Sequence, residues 1–272
     1  MSDFLVSTDW LAAHLDNPRV CVVQSDLSPD NFQSGHIPGA VFWALSPDVF
    51  DSQWSLDLDP THVSELLSRS GIARDSIVVF SSEAPPIVTC LWRLMQIIGH
   101  AEARVLDGGT AKWRAENRPF TTEVAPISPS KYEVESSDLS SRALLDDVRR
   151  AQSDENAVLL DVRTPQEWSG EWFFMAPPEN GERAGHIPSA LHVPFETALG
   201  DDGTFKSRDE LLEIYEELGV TSNKKIITYC TIGARSTSTF FVLKHLLGFP
   251  DVLNYDGSWS EWSRLEAPDA AH

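Results

Sequence analysis

The chain has 272 residues, 42% hydrophobic and 23% charged, with 21 Lys and Arg against 41 Asp and Glu for a formal net charge of −20. That is enough apolar material for one large domain or two modest ones, and it excludes a disordered chain, a collagen and a disulfide-stapled mini-protein. So acidic a surface repels phosphate backbones, so neither nucleic acid nor an anionic membrane is an expected partner.

The opening Ser2-Asp3-Phe4-Leu5 has neither the basic nor the apolar segment of a secretory signal. The most apolar run, 240–249, contains Lys244 and His245 and is too short to span a membrane. A cytoplasmic location is expected. Cys21, Cys90 and Cys230 are too few and too scattered for a disulfide framework or a zinc site, and the histidines lack metal-binding spacings. No metal or organic cofactor is expected.

In chain order, Cys21-Val22-Val23 reads as a short buried strand. Asp59-Pro60 opens a helix that Gly71 ends, with Asp as N-cap and Pro at the first helical position. Ile77-Val78-Val79-Phe80 is a strand, and 88–98 a helix closed by Gly99. The stretch 121–138, with Pro126, Pro129 and many Ser and Thr, reads as a linker. Beyond it Val158-Leu159-Leu160 is a strand, and Ser207-Arg208-Asp209-Glu210 a capping box for a helix stopping at Gly219. Ile226-Ile227-Thr228-Tyr229 is the next strand, and 236–247 the helix before Gly248.

The second series repeats the first. Gly35-His36-Ile37-Pro38-Gly39-Ala40 recurs as Gly185-His186-Ile187-Pro188-Ser189-Ala190, and Asp107-Gly108 with Trp113 recurs as Asp256-Gly257 with Trp262. Residues 77–113 align without a gap on 226–262. The expected architecture is α/β: two similar domains, each a mainly parallel sheet flanked by helices. The first is placed at 1–120 and the second at 139–272, joined by the 121–138 linker.

The copies differ where the strand of 226–229 ends. The second reads Cys230-Thr231-Ile232-Gly233-Ala234-Arg235-Ser236, and the first, without gaps, Ser81-Ser82-Glu83-Ala84-Pro85-Pro86. Open α/β sheets place ligands at such strand ends. The loop N–H groups and the following helix form an anion nest that favours thiolate over thiol. Gly233 lets the loop curl, and Arg235 adds a fixed positive charge. Cys230 is therefore the expected working thiol of the second domain, while the first domain is an inactive scaffold. Cys90, beside Leu91, Trp92 and Leu94, and Cys21, opening an apolar strand, are expected to be buried spectators.

Together Gly-His-Ile-Pro twice, Leu160-Asp161-Val162-Arg163, Tyr229-Cys230 entering a short loop, and Asp256-Gly257 with Trp262 resemble the rhodanese family of sulfurtransferases in its tandem two-domain form. The resemblance covers nearly the whole chain. It implies an inactive first domain, a catalytic second one, and a cysteine persulfide on Cys230. A small anionic sulfur donor would load that persulfide, and cyanide or a thiol, a thioredoxin-like protein included, would collect it. The loop Thr231, Ile232, Gly233, Ala234 and Arg235 would then bind the donor, with Arg163 and Arg183 as further anion contacts.

The loop departs from the better-known subtypes. Ile232 stands where vertebrate-type thiosulfate enzymes place a basic residue, Cys-Thr-Ile-Gly-Ala differs from the Cys-Gly-Ser/Thr-Gly-Val of mercaptopyruvate enzymes, and Glu167 stands where both tend to have arginine. Arginine closing the loop is similar to bacterial members assigned to thiosulfate. Thiosulfate is thus the expected donor, with 3-mercaptopyruvate as the alternative and a persulfide carrier without turnover as another.

Cysteine phosphatases and arsenate reductases use Cys-x5-Arg, whereas Cys230 and Arg235 are spaced Cys-x4-Arg, a cradle sized for sulfur. A serine hydrolase lacks its Gly-x-Ser-x-Gly elbow here. His36 and His186 are read as structural, since the inactive copy has one too. Asp161 and Arg163 are expected to brace the strand end. The apolar insertion 171–183 is expected to pack near the site along the domain interface, and Trp259 to line the pocket mouth or fill the core.

Overall fold

A computed structural model describes residues 4–179 and 181–265, which form two compact units. The first comprises the chain up to Leu139 together with Gly200–Phe205; the second comprises Ser140–Leu199 and the chain from Lys206 onward.

In the first unit β1 (Leu5–Val6), α1 (Thr8–His14), β2 (Val20–Gln24), α2 (Asp30–Ser34), β3 (Val41–Phe42), α3 (Pro60–Arg69), β4 (Ile77–Ser81), α4 (Pro85–Ile97), β5 (Ala103–Leu106) and α5 (Gly109–Ala115) follow one another. The second unit repeats the plan with β6 (Arg142–Ala143), α6 (Leu145–Ala151), β7 (Ala157–Asp161), α7 (Pro165–Ser169), β8 (Leu191–His192), α8 (Arg208–Glu217), β9 (Lys225–Tyr229), α9 (Ser236–Phe241), β10 (Val252–Tyr255) and α10 (Ser258–Trp262). The sheets run β1-β5-β4-β2-β3 and β6-β10-β9-β7-β8, with every pairing parallel. This is the expected class: two parallel sheets, each covered by helices.

Local chemistry sets the helix ends. The Asp59 carboxylate accepts the His62 N–H at 2.8 Å, and Ser207 and Thr164 form reciprocal capping boxes with Glu210 and Glu167; such a cap contributes about 1 kcal/mol. Gly71, Gly99, Gly219 and Gly248 all take left-handed backbone just past helical segments, so the sequence's stop signals are used. Two helices differ from the reading above. α4 begins at Pro85, where consecutive prolines fit a first turn that needs no N–H donors. The 236–247 helix is regular only to Phe241 and then widens into a π turn, Val242–Leu246.

Trp113 and Trp262 are fully buried at matching places in the two cores. Each removes on the order of 200 Å² from water, roughly 5 kcal/mol of hydrophobic stabilisation. The stretch read as a linker is tied to the first unit: Ser68 O accepts the Ser130 N–H, Ser68 Oγ accepts the Tyr132 N–H, and Ile97 O accepts the Asp138 N–H.

His36 is buried and stacked on Phe32, with Nδ1 2.9 Å from Phe32 O and Nε2 3.2 Å from Glu123 O. His186 is exposed, stacks on Trp168 at 3.5 Å and donates to Trp168 O.

Candidate active site

β9 lies between β10 and β7, so three parallel strand ends meet where Cys230 begins its loop. β7 leads into Asp161, Arg163 and Glu167; β10 leads into Asp256, Ser258 and Trp259. This is the edge where parallel sheets gather functional groups.

Cys230 is buried. Its N–H donates to Ser258 Oγ at 3.2 Å, and its carbonyl accepts the Trp259 N–H at 3.0 Å. The N–H groups of Thr231, Ile232, Gly233, Ala234 and Arg235 donate to no protein acceptor. Consecutive unpaired donors in a curled loop make a nest for an anion. Gly233 has φ +82, and a Cβ there would sit 2.7 Å from Asp256 O and 2.8 Å from Asp256 Cα, so only glycine fits. Asn254 Nδ2 clamps the same residue by donating to Gly233 O at 3.2 Å and to Asp256 Oδ1 at 2.7 Å. Arg142 pairs with the other oxygen of Asp256 at 2.7 Å.

Glu167 closes the loop from below. Its side chain is fully buried, and its oxygens accept Arg235 Nη1 at 2.8 Å, Arg235 Nη2 at 2.6 Å and Thr231 Oγ1 at 2.8 Å. The Thr164 N–H and hydroxyl donate to it at 3.1 and 3.0 Å. Burial opposes ionisation of Glu167, but the Arg235 hydrogen bonds and charge, with those from Thr231 and Thr164, overcome it and hold the carboxyl below its ordinary range. Burial likewise opposes the Arg235 charge, which the Glu167 hydrogen bonds and the neighbouring Cys230 sulfur hold firmly in place.

Arg163 is equally committed. It is fully buried and pairs with Asp161 through Nε at 2.9 Å and Nη2 at 2.6 Å, and Nη2 also reaches Gly185 O. The strand-end brace expected of this pair is what the geometry shows. Its guanidinium lies 4.9 Å from the Trp259 ring centroid, a cation–π contact. Arg163 Nη1 and Trp259 Nε1 are buried without a protein acceptor. Arg183, from the 171–183 insertion, lies 6.0 Å from the same ring, and Phe174 places its ring 6.0 Å from the Arg235 guanidinium. The insertion therefore borders the site, with Phe173 packed on the core and Phe174 and Met175 exposed. Trp259 is buried, at the edge of that core.

The structure corrects the alignment of the copies by one residue. The Thr110 N–H donates to Ser82 O just as the Trp259 N–H donates to Cys230 O, so Ser82, not Ser81, occupies the place of Cys230. By the same logic Ser25 N–H to Ser81 O matches Val162 N–H to Tyr229 O, which sets Asp26 opposite Arg163. Asp26 is buried, and its Oδ1 accepts Ser82 Oγ at 2.8 Å and the Glu83 N–H at 2.8 Å. The Ala84 N–H is taken by Ser82 Oγ at 3.0 Å. The first copy thus pairs its loop donors with a carboxylate and a serine hydroxyl, whereas the second leaves the N–H groups of residues 231–235 unpaired.

Sequence reasoning missed Ser258 and the grip of Glu167. Ser258 takes a left-handed φ of +51 where the first copy has Gly109; a serine in place of a turn glycine was the available signal. Cys21 is half-buried, where burial was expected, and Cys90 is buried; both belong to the first unit. Among the described residues no group of His, Cys, Asp and Glu is placed to hold a metal ion, and no helix is long and apolar enough to cross a membrane.

Comparison with known proteins gives the family. The rhodanese-like domain matches twice, at residues 7–116 and 144–265, and the chain belongs to that family. The "Sulfur carrier protein TtuD" of Thermus thermophilus is 42% identical over 97% of this chain and 94% of its own. A Mycolicibacterium smegmatis protein named "Putative thiosulfate sulfurtransferase" is 39% identical over 97% of this chain and 96% of its own. Among solved structures, SseA of Escherichia coli, described as a 3-mercaptopyruvate sulfotransferase, superposes with a TM-score of 0.81 at 26% identity, covering 95% of this chain and 99% of that one. The anaerobic ergothioneine biosynthesis enzyme of Chlorobium limicola shares the fold, with a TM-score of 0.83 at 23% identity over 99% of this chain and 70% of that one.

Proposed function

We propose that the protein is a sulfurtransferase that moves sulfane sulfur from thiosulfate to cyanide or a thiol through a persulfide on Cys230. The Cys230 thiolate attacks the outer sulfur of thiosulfate. A new S–S bond forms, the old one breaks, and sulfite leaves with the electron pair. The persulfide is held by the N–H groups of residues 231–235 until an acceptor thiolate or cyanide takes its outer sulfur and restores the thiolate. This is covalent catalysis by an electrostatically supported nucleophile.

The observation that carries the reading is the contrast between copies: unpaired N–H donors behind Cys230, and behind Ser82 a Glu83 N–H taken by Asp26 and an Ala84 N–H taken by the Ser82 hydroxyl. The binding roles proposed for Thr231 to Arg235 follow from it. Arg163 and Arg183 are proposed to border the donor through Trp259.

The test is intact mass of the reduced protein after thiosulfate, beside Cys230→Ser. Gain of one sulfur in the wild type only, removed by cyanide as thiocyanate, is the expected result. A gain with 3-mercaptopyruvate but not thiosulfate would reassign the donor, as the likeness to SseA would favour. Loading that never turns over with small acceptors would favour a carrier, in keeping with the name of the Thermus relative.

A further inference from the structure

Charge near Cys230 is arranged in closed pairs. Arg235 is bidentate to fully buried Glu167, Arg163 is bidentate to fully buried Asp161, and Arg142 is tied to Asp256. Arg235 and Arg163, which look from the sequence like anion receptors, each arrive with a carboxylate partner. Glu167 touches both ends of the cradle, through Thr231 at its start and Arg235 at its close. Arg235 is the cation whose charge is coupled to the Cys230 sulfur. The charge that a donor meets beyond the sulfur is therefore set by Glu167.

We propose that Glu167 is a specificity-determining residue: by neutralising Arg235 it keeps the cradle near charge balance, so that a dianionic donor gains no advantage over a monoanionic one. The inference rests on the sulfurtransferase reading and names the donor property that the site discriminates. Donor anions then bind chiefly through backbone N–H groups, which contact oxygen or sulfur without requiring a second negative charge.

Thiosulfate and benzenethiosulfonate test this, because both deliver an outer sulfur to the Cys230 thiolate and differ by one charge. The first releases sulfite and the second benzenesulfinate, each leaving with the electron pair of the broken S–S bond. In Glu167→Gln, which keeps a hydrogen-bonding amide but loses the charge, the ratio of kcat/KM for thiosulfate to that for benzenethiosulfonate should rise about ten-fold. That is the Coulomb effect of one charge at roughly 8 Å in a medium between protein and water. The change should lie mainly in the thiosulfate KM. Glu167→Asp should keep the wild-type ratio. If Glu167→Gln slows both donors alike, Glu167 is only a brace and the proposal fails.

A wild-type measurement removes dependence on folding of the variant. Sulfate and methanesulfonate, similar in shape, should compete with thiosulfate to within about three-fold of each other. A preference of ten-fold or more for sulfate would reveal an uncompensated cation and overturn the inference. If neither donor loads Cys230, the sulfurtransferase reading fails first, an outcome distinct from an unchanged ratio.

Discussion

Ser258 holds a left-handed backbone that serine avoids, and its hydroxyl accepts the Cys230 N–H while donating to Tyr255 O at 2.7 Å. Ser258→Ala keeps the strain and strands a buried donor, which should cost about 1–3 kcal/mol. Ser258→Gly relieves the strain as it loses the bond and should cost less. Urea unfolding of the two variants measures the order; equal losses would show that the left-handed backbone at Ser258 stores no strain. At Gly233, an alanine Cβ meets Asp256 backbone on arrival, so Gly233→Ala should abolish persulfide loading while the far-UV spectrum persists. Loading at the wild-type rate would show that the cradle needs no such close approach. Cys230, Gly233 and Arg235 were legible in the sequence because their chemistry is written in one short loop. Ser258 and Glu167 were not, because each reaches the loop from a neighbouring strand end and acts through hydrogen bonds that only the fold creates.

A strand, a loop and a helix form the unit that was duplicated, and its two versions differ in how far apart strand and helix stand. α4 begins at Pro85, soon after Ser82, whereas α9 waits until Ser236, beyond Arg235. A gap-free alignment cannot see a change in loop length, which is why it set Ser81 rather than Ser82 against Cys230. The strands themselves were legible, since short buried apolar runs bounded by turn residues have few other solutions. In a Cys230→Ser background, Ser82→Cys should gain no sulfur from thiosulfate, because the Asp26 carboxylate holds the Glu83 N–H and sets a negative charge beside the residue 82 side chain. A mass gain there would make the thiol alone sufficient. The π turn after α9 carries a pH consequence. Burial, with repulsion from Lys244, pushes His245 down to about 4. Its stabilising contribution is present above about 6.5 and is lost as pH falls through 4. His245→Leu should therefore flatten the acid limb of stability between those values, by about 3 kcal/mol, as read from denaturant midpoints across pH.

Across the whole molecule, 41 acidic against 21 basic residues surround a site whose Arg235, Arg163 and Arg142 are paired with carboxylates. The long-range field therefore opposes a dianion before the cradle is reached. Added salt screens that repulsion, so kcat/KM for thiosulfate should rise as ionic strength goes from roughly 20 to 200 mM. A fall would mean that local attraction dominates, as it would with an unpaired arginine. Composition and the doubled Gly-His-Ile-Pro were enough to read two α/β units, because a repeated pattern of caps, glycines and apolar runs constrains topology strongly. Charge pairing inside the site was beyond such reading: Glu167 looked like a missing arginine, and became a partner only once α7 was set beneath the loop.

The carboxylate of Asp26 also bears on the history open to the first domain. Regaining a cysteine at Ser82 would leave the nest filled, and losing Asp26 would leave buried donors with nothing to hold. Each change is disadvantageous until the other is present, and the shorter loop adds a third requirement. On the proposed function, the first copy is therefore separated from activity by several coupled changes, which leaves it as scaffold while the second copy keeps the chemistry.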